Sequence, residues 1–213
     1  RAGQVVEVFG PPGAGKTQLG LTVAAQAAGL GARVVYATTK DPLTALAWRL
    51  KEILAARGHS APEAALARVR LAEAGDFSAL ARLLAPLAAE RREEGEAPPL
   101  LVVDMVTAVL AQFVSAGGPS HRWRLAWLWR AIRQLAGGCG FRVLLLSHTV
   151  GAPRSSAGGG AAAPMATQLA LGPVWAAAAA TRLELLLEGR AAQGSERSLA
   201  LILRKGGARP EGS

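Results

Sequence analysis

The chain has 213 residues, 51% of them hydrophobic, with 24 Lys and Arg against 15 Asp and Glu for a formal net charge of +9. That length supports one large domain with a substantial core, and a lone cysteine, Cys139, excludes an internal disulfide framework and suits a reducing, intracellular compartment. The basic balance fits a polyanionic partner such as nucleic acid, whereas the uncharged run 161–180 is interrupted by Pro164, Gln168, Gly172 and Pro173 and does not read as a membrane span.

The first apolar run starts almost at once, as expected of a domain cut from a longer protein or of a sequence lacking its amino-terminal part. Val5-Val6-Glu7-Val8-Phe9 reads as a strand. Gly10, Pro11, Pro12, Gly13, Ala14, Gly15, Lys16 and Thr17 follow with the spacing G-x-x-x-x-G-K-[ST], and Gln18 leads into an apolar helix. Strand, glycine loop and helix in that order make a phosphate-binding loop. The glycines let successive N–H groups turn inward on phosphate oxygens, and the helix start adds its positive dipole end. Lys16 is placed for the β- and γ-phosphates, and the Thr17 hydroxyl for Mg²⁺.

The first helix runs to about Ala28 and stops at Gly29-Leu30-Gly31, and Arg33-Val34-Val35-Tyr36-Ala37 reads as a second strand. Asp41 is an N-cap ahead of Pro42 at the first helical position, opening a helix to about Arg57. Ser60-Ala61-Pro62-Glu63 has the capping-box pattern of a short helix, and 69–72 a short strand. Asp76 or Ser78 starts a helix with Leu80, Leu83, Leu84 and Leu87 on one face. Leu100-Leu101-Val102-Val103-Asp104 is a buried parallel strand ending in an acid. A long helix follows the Gly-rich segment 115–120 and reaches about Ala136. Gly140 to His148 is the next strand, 150–165 a mobile Gly/Ala/Ser/Pro loop, and 173–180 a short helix. Two apolar runs at 182–187 and 198–203 close as an antiparallel hairpin. The pattern is an α/β fold with a mostly parallel central sheet, helices on both faces and a carboxy-terminal antiparallel hairpin.

Asp104 stands where a second carboxylate of such a site belongs, at the end of a central strand, and is assigned to the Mg²⁺ shell opposite Thr17. Ser147 and His148 end the next strand and are candidate sensors of the γ-phosphate; a strand-terminal histidine hydrogen-bonded to backbone is the equal alternative. On the helix 122–133, Leu125, Leu128, Trp129, Ile132 and Leu135 form a core stripe. Trp123 and Trp127 fall on another side beside Arg124 and Arg130. They either pack under neighbouring loops, anchor a protein partner or stack single-stranded bases.

Together these motifs resemble the ATPase core of the RecA/RadA-type recombinase family. The resemblance rests on Gly15-Lys16-Thr17-Gln18, Leu100 to Asp104, Ser147-His148 before a loop, Leu171-Gly172-Pro173-Val174-Trp175 and Thr181-Arg182-Leu183, and it covers almost the whole chain. Within the family the chain is more similar to the eukaryotic recombinase paralogs, those of the D type above all. That similarity rests on Tyr36 to Ala45, on His148 and on the Lys-x-x-x-x-Pro pattern from Lys205 to Pro210. The resemblance implies a RecA-like P-loop NTPase core using ATP and Mg²⁺, a nuclear place in homologous-recombination repair, and single-stranded DNA and other recombinase paralogs as partners. It assigns 111–121 and 150–168 to two DNA-binding loops, with Arg122, Arg124, Arg154 and Gln168 as candidate DNA contacts. Lys205 matches a position that, in the family, reaches the nucleotide of an adjacent subunit.

The chain departs from the family at one place. Active recombinases carry a glutamate just after the second strand that orients the attacking water; here Lys40 holds that place and Asp41 follows it. A lysine does not serve as that base at neutral pH unless its pKa is strongly lowered. The expectation is therefore ATP binding with slow or absent hydrolysis. An active DNA-dependent ATPase or strand-exchange enzyme is the alternative. A small-molecule P-loop kinase ranks third, because such a lid carries several arginines and 150–168 offers only Arg154.

Overall fold

The structure, a computed structural model, describes residues 3–59, 61–90, 95–114, 119–151, 167–169, 175, 181–190 and 197–205. It begins with β1 (Val5–Gly10), α1 (Lys16–Gly29), β2 (Val34–Thr38), α2 (Leu43–Ala56), α3 (Pro62–Leu66), β3 (Val69–Glu73) and α4 (Phe77–Leu87). It continues with β4 (Leu100–Asp104), α5 (Val106–Val114), α6 (Pro119–Gly137), β5 (Arg142–Gly151), β6 (Thr167–Leu169), β7 (Thr181–Arg190) and β8 (Arg197–Lys205). The strands order as β3-β2-β4-β5-β1-β7-β8, parallel from β3 through β7, with β8 closing antiparallel on β7. This is the expected α/β sheet and hairpin.

Every residue of β2 and β4 is buried, as parallel strands covered on both faces require. Alternation along the strands divides the core in two. Val8, Val34, Tyr36, Val102, Leu144 and Leu146 pack under α1, α2 and α3. Val35, Ala37, Leu101, Val103, Val143 and Leu145 pack under α4, α5 and α6. Asp76 caps α4 by accepting from the Ala79 N–H at 2.7 Å, and Leu80, Leu83, Leu84 and Leu87 form its buried face. In α6 Leu125, Leu128, Ile132 and Leu135 are buried as the stripe predicts, and Trp129 is half-buried.

Several expectations are corrected. Asp41 does not cap α2: Pro42 holds the N-cap position and Leu43 begins the helix. Asp41 instead belongs to the preceding turn, where its N–H donates to the Thr38 hydroxyl at 3.0 Å. α3 starts from Ala61 without a side-chain cap, and Ser60 lies outside the described residues. Of the segment 111–121, expected as a loop, the described residues 111–114 and 119–121 are helical. Val106, Val109 and Leu110 recur at helical spacing and bury in the core, so α5 runs to Val114, and α6 already begins at Pro119. The loop expected over 150–168 has strand at both ends, with Val150 of β5 opposite Gln168 of β6; residues 152–166 lie outside the described ones. So does the short helix at 173–180, except Trp175, which is helical and buried.

One polar cluster ties the sheet together beneath the glycine loop. Glu7, in the middle of β1, is buried and accepts from Ser147 Oγ at 2.7 Å, Trp175 Nε1 at 2.9 Å and Arg182 Nε at 2.6 Å. The Arg182 guanidinium also lies 4.4 Å over the Phe9 ring. Removing one member of a buried ion pair leaves the other charge uncompensated, at about 3–5 kcal/mol. Arg182→Met is therefore expected to lower unfolding free energy by about that amount in denaturant titration, while Leu201→Ala on exposed β8 changes it by about 0.5 kcal/mol or less. Equal, small effects of the two substitutions would contradict the role given to Glu7.

Candidate functional site

The phosphate loop forms as its glycines predict. Gly13 and Gly15 sit at φ 78° and 87°, where side chains bearing a Cβ are strained, and Gly15 is the N-cap of α1. Gly10 is required for a different reason: a Cβ there would run into the carbonyl oxygen of Leu185. The loop thus presents the N-terminus of α1 to the crevice at the carboxyl end of β1.

Lys16 is buried and its Nζ donates to the carbonyls of Gly10 at 2.9 Å and Pro11 at 2.8 Å. An ammonium has three donors, so one remains for a phosphate oxygen. Burial lowers the Lys16 pKa from 10.5 to about 8, against the attraction of Asp104 and with the help of Lys40. Thr17 lies within hydrogen-bonding reach of Asp104, so the structure brings the two expected Mg²⁺ residues together. Gln18 accepts from Arg49 at 2.7 Å at the surface.

Asp104 is 1% exposed. Its Oδ2 accepts from the buried Tyr36 hydroxyl at 2.7 Å, while Oδ1 has no partner among the described residues. Burial raises its carboxyl above the usual range, opposed by the hydrogen bond from Tyr36 and by the nearby Thr17 hydroxyl, and the same burial with the adjacent carboxylate pushes the Tyr36 hydroxyl upward. A buried carboxylate oxygen left open beside a threonine hydroxyl suits a hard cation such as Mg²⁺. Gly20 on α1 makes the approach possible, since a Cβ there would stand 3.2 Å from the Tyr36 hydroxyl and 2.9 Å from Leu146.

Ser147 and His148 part company. Successive residues of a strand face opposite sides, so Ser147 turns to Glu7 under the sheet and is not in the crevice. His148 stays on the loop side; its N–H donates to Thr107 Oγ1 at 3.1 Å and its Nδ1 has no partner among the described residues. Burial, then the charges of Lys16 and Lys40, lower its pKa, which keeps the ring neutral at pH 7. Lys40 is exposed at the turn after β2, within electrostatic range of Lys16, Asp104 and His148.

The remaining candidates are spread over the chain. Trp123 and Trp127 pack edge-on against Phe77 with centroids 5.9 Å and 5.4 Å away, and the Arg124 guanidinium lies 4.6 Å over Trp123. Part of the aromatic and arginine pattern is thus engaged within the chain, although both tryptophans keep an exposed edge. Arg122 falls on α6, Gln168 on β6 and Lys205 at the end of β8, while Arg154 lies outside the described residues. Glu7, Tyr36, Thr39 and Gly20 had no assigned role from sequence. An acid inside the apolar run of β1 was a signal for Glu7; Tyr36, flanked by Val and Ala, offered only a pattern.

The fold and the loop define a P-loop protein with a RecA-like core. Residues 1–151 match the family described as AAA domain. Among curated proteins the chain is 37% identical over 105 residues to the DNA repair and recombination protein RadB of Halobacterium salinarum, covering 49% of this chain and 41% of that protein. It is 31% identical over 153 residues to mouse DNA repair protein RAD51 homolog 4, covering 68% of this chain and 46% of that protein. A crystal structure of the RadB recombinase superimposes over all of this chain and 85% of its own with a TM-score of 0.68 at 23% identity, which speaks for the fold. The chain belongs to the AAA domain family, within the RecA/RadA-type recombinases. It spans less than half the length of these curated relatives.

The lowered lysine gives a pH signature. Its folded pKa, about 8, lies below the unfolded 10.5, so between those values the unfolded chain binds more protons and stability rises with pH. The unfolding free energy of the wild type minus that of Lys16→Met is expected to climb from about pH 8 to pH 10.5. A flat or falling difference in pH-resolved denaturant titrations would show that Lys16 is not desolvated in the fold.

Proposed function

We propose that this chain is the ATP-binding core of a recombinase paralog that serves homologous-recombination repair, in the nucleus as its resemblance to the mammalian relatives implies. It holds ATP with Mg²⁺ and hydrolyses it slowly or not at all. The observation that carries the reading is the joint geometry of the glycine loop, the Thr17 and Asp104 pair and Lys40. Thr17 and Asp104 would hold Mg²⁺, which would supply positive charge to offset that of the phosphates. The loop amides and Lys16 orient the phosphates. Tyr36 fixes the Asp104 carboxylate from behind, and the neutral His148 lies on the loop side of β5. Around the place that an attacking water would take, the turn after β2 offers an ammonium, which holds anions and accepts no proton.

The partners follow from charge and kinship. A net charge of +9 favours single-stranded DNA, and α6 carries Arg122, Arg124, Arg130 and Arg133 with no acid between its ends. RadB and RAD51 homolog 4 carry DNA repair in their names, and the D-type resemblance adds other paralogs as partner subunits. ATP then acts as an assembly ligand, binding one conformational state better than another.

Lys16→Ala is expected to weaken ATP binding by at least about tenfold, the loss of one charge-assisted contact, and to abolish ATP-dependent association with a partner paralog. A variant that keeps both would sink the assembly-ligand reading. Single-stranded DNA affinity is expected to fall linearly with the logarithm of salt concentration; a flat response would remove phosphate contacts from the account.

A further inference from the structure

Lys40 forms no ion pair among the described residues, and it lies where the fold gathers two other nitrogen groups. β2 ends at Thr38 directly opposite Asp104, the last residue of β4. The turn that follows is fastened to that strand end. The Thr39 N–H donates to the Asp104 carbonyl at 2.7 Å, and the Met105 N–H donates to Thr39 Oγ1 at 3.2 Å. Thr38 Oγ1 then accepts from the Asp41 N–H at 3.0 Å and, more weakly, from the Lys40 N–H at 3.4 Å. The backbone of Lys40 is therefore held at the rim of the crevice while its side chain is exposed. Lys40 forms no ion pair among the described residues, although Asp104 and Asp41 are close by. Among the described residues Asp104 is the buried carboxylate of the crevice, and its Oδ2 is engaged by the Tyr36 hydroxyl. Lys16 from the loop, Lys40 from the turn and His148 from β5 thus lie around the same strand ends, each within electrostatic range of the next.

The glycine loop and Lys16 recognise phosphates that a nucleoside diphosphate and triphosphate share. A second ammonium entering from β2 adds something only when a further phosphate projects toward it. We propose that Lys40 is a ligand for the terminal phosphate of a bound nucleoside triphosphate, so that this site selects ATP over ADP and retains it. The inference rests on the nucleotide-binding reading above and adds a role for a residue that the family pattern leaves without one. Lysine suits the task because it is a compact charge with three donors on a flexible stem, able to reach an anion without a fixed approach. A glutamate at this place would turn negative charge toward the same phosphate.

Calorimetric titration of ATP and of ADP, each with Mg²⁺, into wild type, Lys40→Ala, Lys40→Arg and Lys40→Glu tests this. The loss of one charge-assisted contact corresponds to roughly tenfold in affinity. Lys40→Ala is expected to raise the ATP Kd by about tenfold and to leave the ADP Kd within about twofold, with Lys40→Arg retaining most of the ATP preference and Lys40→Glu losing more of it. An exposed turn residue tolerates these changes without unfolding. A Lys40→Ala protein that binds ATP and ADP in the wild-type ratio overturns the inference and leaves the nucleotide site standing. A folded wild type that binds neither nucleotide overturns the nucleotide reading itself, and the inference with it.

Discussion

The rest of the structure depends on a carboxylate set inside an apolar sheet. Glu7 is 1% exposed, and an ionised carboxylate in that position is tolerated only with a cation and a full set of donors. Arg182 supplies the cation from β7, Ser147 a hydroxyl from β5, and Trp175 an indole N–H from the segment that follows β6. These partners fix which strands flank β1 and in what register. Trp175 also stacks edge-on against Trp129 of α6, with centroids 5.3 Å apart. The cluster therefore connects the strand that launches the phosphate loop with α6 and with the hairpin.

Above that cluster the strand alternation separates structure from chemistry. Glu7 and Ser147 face α6, whereas Gly10 and His148 open to the loop side, opposite each other in the β1 and β5 register. On the α1 side a second chain of contacts runs from Gly20 to Tyr36 to Asp104. The small residue lets the helix close down, the phenol reaches the carboxylate, and one carboxylate oxygen remains open for a cation. Each step is a packing requirement with a chemical result. A bulkier residue at position 20 would press on the very hydroxyl that orients Asp104.

Much of this was legible in the chain because the demands are local. The glycines of the loop are needed for backbone conformation within a few residues, and the leucines of α4 fall on one face by simple periodicity. Leu100 to Asp104 announced a buried strand ending at the site. What escaped was set by competition or by distance. Asp41 is a good cap by composition, yet the helix starts one residue later, from Pro42, and Asp41 stays in the turn held by the Thr38 hydroxyl. Ser147 looked like a site residue beside His148 until the Glu7 carboxylate, 140 residues away in sequence, gave it a partner. The Tyr36 and Asp104 pair spans 68 residues and the Glu7 and Arg182 pair 175; no local pattern encodes either. α5 escaped because the family resemblance placed 111–121 in a loop, while Val106, Val109 and Leu110 bury at helical spacing.

Holding a nucleotide and breaking it make separate demands on such a site. In the proposed function the loop, Thr17 and Asp104 serve as the phosphate and cation site, while the turn after β2 presents the ammonium of Lys40. The same architecture with a glutamate there would be built to activate water. Steady-state ATP turnover by the isolated protein, with and without single-stranded DNA, tests this division most directly. The account predicts ATP bound with Mg²⁺ and turnover at or near the background of uncatalysed hydrolysis in both conditions. Brisk turnover, or strong stimulation by single-stranded DNA, would contradict it and make the chain an active DNA-dependent ATPase.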